Sequence, residues 1–245
     1  MTHKTKGIVL RTVKYGETSV IVTVLTELFG LQSYIVKGVR QASKKGAAKA
    51  VYFQPAAMLQ MEVYHNELKN LQFIREYEWA FLYKEIFSDV TKNAVALYMI
   101  ELLLHSIKQP EGQHPLYYLA EESLQLLDES SYAFAANLSL YYTLQAAARL
   151  GFQLQGSYSS STPVIDWSEG FFVNDIPNHQ NYMAGELAQI TSVINNIRLQ
   201  NKLENLVLNR SRRRQLLQGY IEFLSLHIEN FGELKSIDVL QEILG

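Results

Sequence analysis

The sequence predicts an α+β protein: a small module of strands, then a helical region interrupted by one irregular stretch. Three observations predict it. Apolar residues keep the two-residue period of strands from Lys6 to about Tyr77, and change to a helical period after Trp79. Between helical segments, residues 155–175 change texture and become rich in Ser, with Gly and Pro. Charge also divides the chain. Residues 1–50 carry nine Lys/Arg against two acids, whereas the other 195 carry 13 against 22, so a formal net charge of −2 conceals a cationic N-terminal module.

Within that module, Ile8 and Leu10 alternate with Val9 and Arg11, and Ser19–Thr26 (SVIVTVLT) is β-branched at most positions. Residues 31–38 (LQSYIVKG) follow the turn Leu28-Phe29-Gly30. Two further runs, 56–65 and 68–77, are parted by a short polar turn at Asn66-Glu67. Five strands in about seventy residues, with no helix-length periodic segment among them, point to closure into a barrel, which removes exposed edges. An OB-fold barrel leads, and an SH3-like barrel fits the strand count nearly as well.

Beyond Trp79, Leu116, Ala120, Leu124 and Leu127 recur at intervals of four, four and three, and Phe134, Leu138, Tyr141, Leu144 and Ala148 continue the pattern. Pro110-Glu111-Gly112 and Pro115 punctuate these helices, Ser130-Ser131 supplies a cap, and the run ends near Gly151. The irregular stretch holds one strand-like run, Gly170-Phe171-Phe172-Val173. A last stripe, Leu217, Tyr220, Leu224, Ile228 and Phe231, marks a C-terminal helix. The expected organisation is residues 1–78 as the barrel and 79–245 as an all-helical domain, with 152–182 a small loop-rich insertion.

The sharpest chemical signal is Lys37-Gly38-Val39-Arg40-Gln41-Ala42-Ser43-Lys44-Lys45-Gly46-Ala47-Ala48-Lys49, which follows a strand and carries five cations without an acid. Its Gly and Ser favour a mobile loop. Such a loop lays charge along a phosphodiester backbone, where released counterions drive binding. With Arg11 and Lys14 nearby, Lys37, Arg40, Lys44, Lys45 and Lys49 are the candidate nucleic-acid contacts; the plain alternative is a solvated surface loop. Tyr15, Phe29, Tyr34, Tyr52 and Phe53 are candidate stacking platforms, most of them expected to fill the barrel. Arg210, Arg212, Arg213 and Arg214 form a secondary basic cluster, open to nucleic acid or an acidic peptide. Its alternative is a helix surface paired with Glu204 and its neighbours.

Other chemistry is missing. With no cysteine, disulfides, thiolate metal sites and a cysteine nucleophile are excluded. The six histidines are scattered, and the chain has no His-Glu-x-x-His pair, phosphate loop, dinucleotide fingerprint or G-x-S-x-G elbow. No catalytic residue, metal or cofactor is expected, and the chain reads as a non-enzyme. The most apolar run, residues 94–104, is short and interrupted by Glu101, and the first residues lack a signal-peptide stretch. The expectation is a cytoplasmic, nucleoid-associated protein with no membrane partner.

The opening K-x-x-G-I-V-L-R-T-x-x-Y-G-E-T-S-x-I-V-T-V-L-T-x-x-x-G (residues 4–30) and Y-I-V-K-G-V-R (34–40) resemble the RecO family of bacterial recombination mediators. So do Phe53-Gln54-Pro55, the strand at 71–77, the helix at 96–104, and a closing segment at 220–240 with His227, Lys235 and Ser236. The resemblance implies an N-terminal OB fold and a helical domain. It also implies binding of single- and double-stranded DNA and annealing of complementary strands. Contacts with RecR and the C-terminal tail of single-strand-binding protein, and indirect help in loading RecA, follow from it too. In many relatives an excursion between helices holds zinc through four cysteines. Here that position falls in residues 151–173, and Ser157, Ser159, Ser160 and Ser161 are poor zinc ligands. A zinc-free subdomain packed by Phe152, Trp167, Phe171 and Phe172 is expected instead. The alternative of another class is a protein–protein adaptor whose barrel binds an acidic partner and no nucleic acid. A third is an RNA-binding barrel.

Overall fold

The computed structural model describes residues 2–41, 44–108, 114–197 and 203–244; Ala42, Ser43 and Pro110-Glu111-Gly112 lie outside the described residues, as do the side chains of Lys44 and Lys45. The chain forms two compact units, residues 1–84 with 107–125, and residues 85–106 with 126–245.

The first unit is built on five strands: β1 Thr2–Tyr15, β2 Ser19–Thr26, β3 Gly30–Val36, β4 Met58–Tyr64 and β5 Gln72–Phe81. They close in the order β1-β2-β3-β5-β4. All neighbours are antiparallel except β3 and β5, which run parallel through Tyr34↔Gln72 and Ile35↔Phe73. That order and the single parallel pair are the OB topology and rule out the SH3-like alternative. Period-two patterning does the packing. Val20, Val22 and Val24 face inward opposite Val36, Tyr34 and Gln32, and these valines join Val9, Phe53, Leu59, Met61 and Val63 in the barrel core.

Two sequence expectations change in this unit. The expected mobile loop is a helix from Lys44, α1 Lys44–Ala50, followed by the 3-10 turn Val51–Phe53. Its KKGAAKA sequence is rich in helix formers but has no apolar stripe, so a search for hydrophobic period passes over it. Gly46 allows its close approach to the preceding chain, since a Cβ there would collide with the Gln41 carbonyl oxygen. The following turn seats Phe53 in the core, and Tyr52 stacks on Trp79 at 4.6 Å. Thr12 Oγ1 donates to the Phe53 carbonyl at 2.6 Å, tying this plug to β1. The fifth strand also begins later, at Gln72 rather than Leu68. The buried Gln72 amide donates to the carbonyls of Asn66 (2.8 Å) and Lys69 (2.6 Å) and accepts from Asn66 N, holding residues 66–71 as a loop.

Helix α3 is His114–Glu129, and its residues up to Gln125 belong to the barrel unit. Lys6 Nζ pairs with Glu121 at 3.0 Å and Tyr118 donates to Glu27 at 2.8 Å, pinning that part of the helix to the strands.

The second unit contains α2 Val90–Ser106, α4 Tyr132–Arg149, α5 Glu186–Asn195, α6 Arg210–His227 and α7 Ser236–Ile243. Ser131 caps α4 as expected, accepting from Phe134 N. Helix α6 is shorter than its apolar stripe suggested. Ile228 leaves the helical conformation, Asn230 has φ 51°, and Phe231 lies beyond, where its carbonyl accepts from His105 Nδ1 at 2.6 Å. Lys235 and Ser236 then open α7, their backbone amides donating to Glu101 at 3.1 and 2.7 Å. A carboxylate at a helix N-terminus satisfies amides that have no helical acceptor.

The insertion is more regular than a loop. β6 Val164–Asp166, β7 Phe171–Val173 and β8 Tyr182–Ala184 form a sheet in the order β7-β6-β8. Trp167 anchors it. It is 1% exposed, with rings of Phe223 at 5.4 Å and Tyr220 at 6.2 Å, and its carbonyl accepts from His227 Nε2 at 2.9 Å. Phe152 stacks on His227. Phe172 is buried, but Phe171 is half exposed, contrary to the expected packing. Consecutive residues of a strand face opposite sides, so the two phenylalanines cannot share one core.

Candidate nucleic-acid interface

The barrel's outer face collects both kinds of side chain that nucleic acid requires. Inward positions of β2 and β3 are Val20, Val22, Val24, Tyr34 and Val36, so Ile21, Thr23, Ser33 and Ile35 point outward. Pairing extends two rows across the strands. One row runs Arg11–Thr23–Ser33. The next runs Val13–Ile21–Ile35–Phe73–Tyr64, passing from β1 through β2, β3 and β5 to β4. Tyr15 lies two residues beyond Val13 on the same face of β1 and pairs with Ser19.

Cations gather at one end of the barrel. Lys14 pairs with Val20, Val20 with Val36, and Lys37 follows Val36 directly. The backbone amide of Arg40 donates to Thr18 O (2.9 Å) and its guanidinium to Gly16 O (3.1 Å), closing the chain after β3 onto the β1–β2 turn. Three strand-end cations therefore surround residues 16–18. Arg11 and Lys14 project from opposite sides of β1, because their separation is odd; Arg11 belongs to the outer face and Lys14 to the barrel mouth with Thr12. Lys49 is exposed on the last turn of α1. Among the described residues none of these five makes an ion pair, whereas Lys6 and Arg75 are held by Glu121 and Glu62. Exposed cations with no ion-pair partner are available to a polyanion.

Of the candidate aromatics, Tyr34 and Phe53 fill the core, Tyr52 packs at the mouth, and Phe29 stacks on His65 at 3.9 Å. Burial holds the His65 imidazole below its ordinary value. Only Tyr15 of the five is open to solvent, at 48%. Sequence reasoning missed Phe73 and Tyr64, exposed at 44% and 48%. The signal was present in strict alternation: in Met61-Glu62-Val63-Tyr64 the inward set is Met61 and Val63, so Tyr64 occupies a face otherwise polar. Beside this row, Thr23, Leu31, Ser33, His65, Lys69 and Asn70 line a groove of about 490 Å³ between β2–β3 and the β4–β5 loop. The strand 2–3 face and this loop are where OB barrels take up oligonucleotides.

The second unit offers a different surface. The four arginines sit at the start of α6, but Glu204 is not their partner; it accepts from Ser131. Arg212 pairs with Glu186 at 2.8 Å, and Arg213 donates to Leu208 O. Arg210, Arg213 and Arg214 rim a cavity of about 160 Å³ whose apolar lining includes Ala136, Leu217, Leu240 and Leu244. The Nε of Arg213 is buried there with no acceptor among the described residues. The side chains at residues 151–173, where the zinc position falls, do not fit zinc. No cysteine is present, the Asp166 carboxylate is taken by the backbone amides of Ser168 and Glu169 and by His179 (3.4 Å), and the described residues hold no cluster of three metal-ligating side chains. No helix among the described residues is long and apolar enough to cross a membrane.

Residues 1–83 match the family described as Recombination protein O N terminal, and residues 87–236 match Recombination protein O C terminal. The DNA repair protein RecO of Bacteroides fragilis is 32% identical over 249 residues, covering 99% of each chain. That of Flavobacterium psychrophilum is 30% identical over 250 residues and 100% of each chain. The OB barrel, the helical region after it and these full-length matches agree, and the chain belongs to the RecO family of DNA repair proteins.

Proposed function

We propose that this protein is a non-enzymatic recombination mediator whose barrel binds single- and double-stranded DNA by the backbone. It anneals complementary strands and, with RecR, helps RecA load onto DNA coated by single-strand-binding protein. The observation that carries the reading is the cluster of unpaired cations, Lys14, Lys37 and Arg40, around the β1–β2 turn, with Arg11 on the adjoining outer face. Phosphate contacts of this kind fix a strand without reading its sequence. Annealing follows from charge: a strand whose phosphates are neutralised no longer repels its complement, and its base edges stay accessible.

The cavity between α4, α6 and α7 supports docking of the single-strand-binding protein tail. An acidic peptide with an apolar end would place side chains against Leu217, Leu240 and Leu244, and its carboxylates would meet Arg210, Arg213 and Arg214. It would also supply the acceptor that Arg213 Nε lacks.

The test is titration of a fluorescent single-stranded oligonucleotide at rising salt. With four phosphates met by Arg11, Lys14, Lys37 and Arg40, log K against log[salt] should fall with a slope of about −2.8. No binding at low salt removes the mediator reading in favour of the adaptor.

A further inference from the structure

Stacking of unpaired bases, in addition to backbone contact, is the feature the barrel's surface points to. We infer that Tyr15, Phe73 and Tyr64 are base platforms, so that the barrel prefers single strands to duplex; the inference rests on the DNA-binding reading above.

These rings are not overflow from the core. Alternation already fills the interior, and each of the three lies at an outward position. Each is between 44% and 48% exposed, and none stacks on the packed rings of the barrel. By contrast Tyr52, Phe53, Tyr77 and Trp79 pack on one another, and Phe29 is taken by His65. Three free rings on one face of one small barrel is an arrangement that folding does not require.

Their surroundings select the occupant. Phe73 and Tyr64 are direct cross-strand neighbours, and the row continues through Ile35, Ile21 and Val13 as an apolar floor. Adjacent strands lie about 4.8 Å apart, so from Val13 to Phe73 the floor crosses roughly 14 Å. Arg11 flanks one side of this floor, and Lys37 and Arg40 approach it beyond Tyr15. Apolar rings bordered by unpaired cations match a strand with flat uncharged bases on a charged backbone; an apolar protein partner would leave the cations unused. Duplex DNA presents phosphates to the same cations but keeps its bases stacked inside. Base–aromatic stacking is sequence-tolerant because every base has a π-face, which suits a protein that must act on any strand.

The experiment titrates the wild type, Phe73→Ala, Tyr64→Ala and Phe73→Trp with labelled oligo-dT and with a duplex of equal length. Removing one ring should lower oligo-dT affinity about tenfold, within the range for loss of one stacked base. The salt slope should stay the same and duplex affinity should change less than twofold. Phe73→Trp should keep oligo-dT affinity, and its fluorescence should be quenched on adding oligo-dT. Thermal melting checks that each variant is folded. Equal losses on both DNAs, or no loss on either, overturn the stacking assignment while leaving the cationic contact intact. A wild type that binds neither DNA overturns the parent reading itself.

Discussion

Replacing Lys14, Lys37 and Arg40 together by glutamine isolates the electrostatic part of the account. All three side chains are exposed, and among the described residues the one hydrogen bond lost is from the Arg40 guanidinium to the Gly16 carbonyl, itself at the surface. Stability should therefore move by no more than about 1 kcal/mol. Binding should change much more. Each phosphate contact on a single strand contributes about 0.7 to the salt slope, so three lost contacts reduce its magnitude by about 2.1. Relative to an extrapolated 1 M salt, this is about two decades of affinity at 0.1 M, or about 2.9 kcal/mol. The assay is fluorescence anisotropy of a labelled oligonucleotide across a salt series. Arg75→Gln serves as the internal control, because Arg75 is already neutralised by Glu62 at 2.8 Å and should leave the slope alone. A triple variant with unchanged slope would refute the reasoning, and so would an Arg75 variant with an equal effect.

Four further outcomes are expected. Arg214→Glu, which places a carboxylate on the rim of the α4–α6–α7 cavity, should weaken binding of an acidic peptide with an apolar C-terminus about tenfold in calorimetry while oligonucleotide affinity stays put. Trp167→Ala, which empties the anchor of the inserted sheet, should cost about 3–5 kcal/mol in urea denaturation. Chelators should leave the wild-type curve unchanged, and stoichiometric zinc in untagged protein would contradict that. His65 titrates below its ordinary value because it is desolvated, so the unfolded chain takes up the proton first. Stability should then decline as the pH falls through about 6.5, and His65→Phe, which keeps the stack on Phe29, should lose that part of the decline in a series of denaturation midpoints.

The barrel was readable because its strands obey alternation: Val20, Val22 and Val24 are inward, and Ile21 and Thr23 outward, in the sequence as in space. The long helices α3 and α4 carry strong apolar stripes and were readable for the same reason. Helix α1 was not, since its lysines and alanines have propensity without period. The strands β6 and β8 are three residues long, too short for any period to register. The end of α6 was overrun because Ile228 and Phe231 keep helical spacing after the backbone has turned away at Asn230.

The candidate site was half legible. A surplus of lysine and arginine is visible in composition, and the structure brings Lys14, Lys37 and Arg40 to one turn. That Arg11 and Lys14 diverge follows from their odd spacing. The aromatic row was hidden for a different reason. Val13, Ile35, Phe73 and Tyr64 are far apart in sequence and become neighbours only through the register of five strands, including the parallel β3–β5 pair. The cavity rim was hidden likewise: Arg213 and Leu244 meet because α7, packed on α2, brings its C-terminal end to the start of α6, and nothing local to either residue announces it.

Photochemical cross-linking of an oligonucleotide carrying 5-iodouracil, read by mass spectrometry, tests the central claim most directly. Cross-links should map to Tyr15, Tyr64 and Phe73 on the barrel and fade as salt rises. Adducts confined to residues 210–227, or absent from the barrel at low salt, would contradict it.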